Sequence, residues 1–89
     1  MTRADFADAS YTYCVLTGAS VTSGVRSRQH NDAVDGVAGS PHLYGLAVDV
    51  VYDAPHDAVY LDGVAARCGL RRLKEPAHDH LQPIGWPAG

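Results

Sequence analysis

The chain has 89 residues, which is room for one small domain. Hydrophobic residues make up 46% and charged residues 19%, too apolar and too weakly charged for a disordered chain. The net charge of -3 lacks the basic surplus of a nucleic-acid binder, and no apolar run approaches the length of a membrane span.

A chain this short buries only a little over ~60% of the surface its unfolded form exposes, so its stability margin is thin. Such chains often depend on a disulfide, a metal or a partner. The first ten residues contain no signal-peptide apolar core, so the expectation is a chain that is cytoplasmic as synthesised. Cys14 and Cys68 are then expected as two buried free thiols rather than a disulfide. Their spacing is not that of a zinc ribbon. Any metal staple must therefore come from carboxylates and histidines, of which there are 5. The expected organisation is one domain over residues 1–89, acting as a monomer.

Ala4 to Leu16 reads as a short helix or an extended arm, and the alternation of Tyr11, Tyr13 and Val15 suits a strand. Val21-Thr22-Ser23 reads as a short β segment ending at Gly24. Arg26 to Asn31 is polar, and Asp35-Gly36 with Ala38-Gly39 marks a loop. Leu46 to Tyr52 is nearly all apolar and reads as a central strand, interrupted by Asp49. Asp57 to Cys68 is the best helix, with Tyr60, Leu61, Val64, Ala65 and Cys68 on one stripe. Gly69 is placed to stop it in the left-handed conformation. Leu70–Leu73 and His78–Leu81 read as two strands joined by a turn at Glu75-Pro76-Ala77, and Gln82 to Gly89 as an irregular tail. The pattern predicts an α+β fold: a small, mostly antiparallel sheet with one or two packed helices.

Asp49 is the most informative residue. A carboxylate in an apolar strand either faces solvent by alternation or is buried and must be paired or bound to a metal. His42 lies seven residues upstream, across Gly45, and puts an imidazole on the adjacent segment. His78 and His80 are two apart, so on a strand both project from one face, with Asp79 pointing the other way. His42, Asp49 and either His78 or His80 would make a site of three protein ligands plus water, the open type of zinc site found in enzymes. Glu75, just before the histidine pair, is a carboxylate suited to take a proton from water and return it to a leaving amine. Arg26, in the turn Ser23-Gly24-Val25-Arg26-Ser27, could hold a substrate carboxylate or polarise a carbonyl oxygen. His30 and His56 have no evident partners and are expected at the surface.

These segments resemble a known family. Ser-x-His-x-x-Gly-x-Ala-x-Asp, at Ser40 to Asp49, is similar to the signature of the zinc D-alanyl-D-alanine carboxypeptidases. That group includes the VanX dipeptidases, the phage L-alanyl-D-glutamate endopeptidases and the related hedgehog fold. The turn at Ser23 to Ser27, with Asn31, Gly36 and Val37 after it, resembles the family's arginine turn and the stretch that follows. His78-Asp79-His80-Leu81-Gln82 resembles its closing histidine segment. The matches run from Val21 to Gln82, about two-thirds of the chain.

The resemblance implies a hedgehog- and D-Ala-D-Ala-peptidase-like fold and a Zn2+ cofactor. It also implies hydrolysis of peptidoglycan stem peptides, of the carboxypeptidase or the endolysin-type endopeptidase kind. His42 and Asp49 match the first two zinc ligands, Ser40 the serine that opens the signature, and Arg26 the substrate-binding arginine. For the third ligand two assignments stand. If the hedgehog-type pair governs, His80 binds the metal and His78 acts beside it. If the acidic base lies three residues before the ligand, His78 binds the metal, because Glu75 precedes it by three. We take His80 as the expected ligand and Glu75 as the expected base. The lack of a signal segment suits a phage-encoded enzyme released to the cell wall or carried in the virion. The non-enzymatic alternative is a zinc-stapled binding module, and a metal-free structural domain is the third.

Overall fold

In the computed structural model, which describes residues 1–23 and 45–86, the chain opens with helix α1 (Arg3–Thr17). The Thr2 hydroxyl accepts from the Asp5 backbone N–H, and the Asp5 carboxylate accepts from the Thr2 N–H, both at 3.1 Å. This reciprocal capping box satisfies backbone donors that the first turn leaves open. Gly18, at φ 68°, ends the helix in the left-handed region. Phe6, Ser10, Tyr13 and Thr17 are buried, at helical spacing. The strand reading of the tyrosine alternation is therefore corrected to a helix: Tyr13 is fully buried while Tyr11 and Val15 face solvent.

Four strands follow: β1 (Ala19–Ser23), β2 (Val48–Tyr52), β3 (Leu70–Lys74) and β4 (Asp79–Pro83), with helix α2 (Ala58–Arg67) between β2 and β3. They form one sheet in the order β1-β2-β4-β3, every neighbouring pair antiparallel. The fold is thus α+β, with two helices among the described residues. Asp57 caps α2 by accepting from the Val59 N–H at 2.7 Å. Leu61, Val64 and Ala65 are buried on its inner face, whereas Tyr60 lies at the edge of the stripe and is exposed. Gly69, at φ 77°, follows the helix end as expected.

The predicted central strand is central, but it begins at Val48; Leu46 and Ala47 are buried outside it. Gly45, at φ 71°, turns the chain just before this segment. The tail reading is also corrected, because Gln82 and Pro83 belong to β4 and pair with Arg71 and Leu70. Proline is tolerated there because the pairing with β2 ends at Leu81, so the missing N–H faces no ladder partner on that side. Cys14 and Cys68 are free thiols, as expected, but each is only half-buried.

Side chains alternate between the two faces of a sheet. Val50, Leu70 and Leu81 pack with Phe6, Tyr13, Leu61, Val64 and Ala65 into one core. The positions beside them, Asp49 on β2 and His80 and Gln82 on β4, therefore belong to the opposite face. That separation of faces creates the site.

Candidate metal centre

The register of β2 and β4 sets Asp49 directly opposite His80. Cross-strand neighbours are close enough for their side chains to meet. Here His80 Nδ1 lies 3.5 Å from Asp49 Oδ1. The connection between β3 and β4 supplies the rest. The Glu75 N–H donates to the His78 carbonyl at 3.0 Å, closing the turn. His78 Nε2 stands 3.3 Å from Glu75 Oε1 and 3.5 Å from Asp49 Oδ1. Glu75 Oε1 is also 3.9 Å from His80 Nδ1.

Burial grades the cluster. The side chains of His80 and Asp49 are 2% and 6% exposed, those of His78 and Glu75 30% and 44%. The first pair forms a floor and the second an open rim. Asp49 is thus not on a solvated strand face, and a carboxylate this deep needs compensation by charge or hydrogen bonds.

The donor set suits a divalent metal. Asp49, Glu75 and His80 each offer one ligand atom, all within 4.8 Å of one another. Two ligands ~2.1 Å from a tetrahedral zinc stand roughly 3.4 Å apart. The 3.5 Å from Asp49 Oδ1 to His80 Nδ1 matches that span, as does the 3.5 Å to His78 Nε2; of the two rings, His80 is the buried one. One imidazole with carboxylate oxygens is a borderline-hard set that zinc accepts.

Asp79 points to the other face, as alternation predicts, into a network that sequence reasoning did not find. Its Oδ2 accepts from the Tyr52 hydroxyl at 2.6 Å and from Arg72 Nη1 at 3.0 Å. Arg72 Nε donates to Asp62 at 2.8 Å. The Tyr52 proton is committed to Asp79, so Tyr13, 2.7 Å away, donates to Tyr52. Burial, then the bond donated to Asp79, push the Tyr52 hydroxyl well above the ordinary tyrosine range. Burial likewise raises Tyr13. Burial opposes the Arg72 charge, but the bonds to Asp62 and Asp79 outweigh it and hold the guanidinium above its usual value. The network pins Asp79, and with it the backbone that carries His78 and His80.

A cavity of about 530 Å³ opens on the Asp79 side of the turn, lined in part by Val50, Tyr52, Arg72, Asp79, Glu75 and His78, while Asp49 and His80 lie on the opposite face of the sheet. His56 is at the surface, 2.6 Å from the Thr17 carbonyl. Of the residues expected in the site, the structure brings together Asp49, Glu75, His78 and His80. Arg26, Ser40 and His42 lie outside the described residues, as do Gly24, His30 and the loop at Asp35 to Gly39.

The family model for Peptidase M15 matches residues 16–79, more than two thirds of the chain. The chain belongs to the peptidase M15 family. The matched stretch carries Asp49, Glu75 and His78 and ends at Asp79, one residue before His80. No curated protein and no solved structure matches the chain. Membership supports a metallopeptidase, and the Asp49, Glu75 and His80 cluster is the candidate metal site within it. No helix among the described residues is long and apolar enough to cross a membrane.

Proposed function

We propose that this M15 domain is a zinc peptidase that hydrolyses peptide bonds in peptidoglycan stem peptides. The observation that carries the reading is the meeting of Asp49, Glu75 and His80 on one sheet face, buried ligands below and an exposed carboxylate above. Asp49 and His80 would hold the metal together with His42, the third ligand implied by the resemblance. A bound zinc supplies Lewis acidity, which acidifies water and polarises the scissile carbonyl.

The chain's own residues do the remainder. Glu75 is the general base: its Oε1 takes the proton from water and returns it to the leaving amine. Its side chain is 44% exposed, which leaves it open to both. His78, at the same rim, donates to the developing oxyanion or the leaving group. Arg26 anchors a substrate carboxylate and Ser40 braces the signature segment; both roles rest on the resemblance. The enzyme acts as a monomer, and a phage origin with release to the cell wall fits this substrate.

The test is digestion of purified peptidoglycan by zinc-loaded protein, with released peptides and new termini read by mass spectrometry. The wild type should cut, and Glu75→Gln should bind zinc and cut at least ~100-fold more slowly, the scale of a lost general base. Hydrolysis that survives Glu75→Gln would remove Glu75 from the base role. A zinc-loaded wild type that cuts no peptidoglycan type would favour the zinc-stapled binding module.

A further inference from the structure

We infer that Gln82 is a positioning residue that fixes the tautomer of His80, presenting Nδ1 as the metal-binding atom; the metal part of this rests on the zinc site proposed above. The Trp86 N–H donates to the Pro83 carbonyl at 3.3 Å, and Gly85 at φ 93° occupies the turn position that needs positive φ. This turn brings the Trp86 carbonyl back toward the sheet, 2.6 Å from Gln82 Nε2.

A carbonyl oxygen only accepts, so the end of the Gln82 amide that faces it must be the NH2 group. The other end, Oε1, then faces His80 Nε2 at 2.7 Å. Oε1 carries no proton, so Nε2 must donate. A neutral imidazole has one N–H. In the neutral ring Nδ1 is therefore left with its lone pair, and Nδ1 is the atom aimed at Asp49 and Glu75. Gln82 is fully buried and β4 alternation puts it on the same face as His80, so the orientation is held by packing as well as by bonds. A metal-bound histidine commonly donates its other N–H in this way, which fixes the ring and raises its basicity. In this chain the donor path is anchored on main chain, and its direction is forced.

The test uses the full chain and two readouts. Long-range 1H–15N NMR on the metal-free protein at pH 8, above the ordinary histidine range, reads the His80 tautomer. Competitive titration with a chromophoric chelator reads zinc affinity. The wild type should show Nε2–H with an unprotonated Nδ1. Gln82→Met removes the acceptor at similar size; it should mix the tautomers and weaken zinc roughly 10–100-fold. An Nδ1–H signal in the wild type overturns the assignment, whatever the variant does. So does a Gln82→Met protein with the wild-type tautomer and affinity. A wild type with the expected tautomer but no zinc binding would uphold Gln82 as the tautomer-setting residue and defeat the metal site, so the two failures are distinct.

Discussion

Asp49 and His80 oppose each other on neighbouring antiparallel strands, with Nδ1 of the imidazole 3.5 Å from Oδ1 of the carboxylate. The contact joins residues 31 positions apart through a single register pair. It makes the central strand pairing and the candidate metal site the same structural feature, so anything that binds there clamps β2 to β4.

Metal and stability should therefore be linked. A ligand that binds only the folded state contributes about 2.7 kcal/mol when present at 100 times its Kd. For a domain of this size each kcal/mol moves Tm by roughly 4–8 °C. Zinc at that excess should raise Tm by about 10–20 °C over the chelated protein in a calorimetric scan. Superimposable scans with zinc and with chelator would show that the metal is no staple.

Asp79 carries the other face of the same strand. It is 5% exposed and is the shared acceptor for Tyr52 and Arg72. Asp79→Ala leaves the Arg72 guanidinium, itself 8% exposed, without that partner. Breaking a buried pair from one side costs about 3–5 kcal/mol, while replacing both partners by apolar groups costs far less. Urea unfolding should thus show Asp79→Ala with Arg72→Met to be more stable than Asp79→Ala alone. A double variant that is weaker than the single one would mean that Arg72 works mainly through Asp62.

The tyrosine pair sets an alkaline limit. The fold holds the Tyr52 hydroxyl above its ordinary pKa of 10.0 and raises Tyr13 as well. A pKa raised by folding contributes stability that is present below the ordinary value and lost as pH rises through the folded one. Tm should fall as pH climbs past ~10. Tyr52→Phe should start lower near neutrality, having lost the bond to Asp79, and decline less steeply from pH 9 to 11. Parallel Tm curves for the two proteins would exclude Tyr52 as the group responsible.

The legible parts of the fold are those in which local pattern and tertiary packing agree. β2 is announced by β-branched residues, α2 by its stripe and its glycine stop, and the β3–β4 hairpin by two short segments on either side of the turn at Glu75-Pro76-Ala77. α1 was ambiguous because Tyr11, Tyr13 and Val15 alternate, and the Thr2 and Asp5 capping box with the Phe6, Ser10, Tyr13 and Thr17 spacing overrides that alternation. In the site, Asp49 was conspicuous as a charge in an apolar strand, and His78, His80 and Glu75 stood close together in sequence. Gln82 closes the family-like segment, but nothing in the sequence marks its role. It sits in a segment rich in proline and glycine, and its role depends on a turn that returns the Trp86 carbonyl to the strand. Tyr52 and Arg72 were silent for a similar reason, since only the sheet register brings them to Asp79.

Zinc stoichiometry across a small variant set is the most direct measurement of whether Asp49 and His80 hold a metal. Equilibrium dialysis followed by elemental analysis should find one zinc per wild-type chain. Asp49→Ala and His80→Ala should each lose it, while Glu75→Gln should keep it. Full zinc occupancy in His80→Ala, or none in the wild type, would contradict the site.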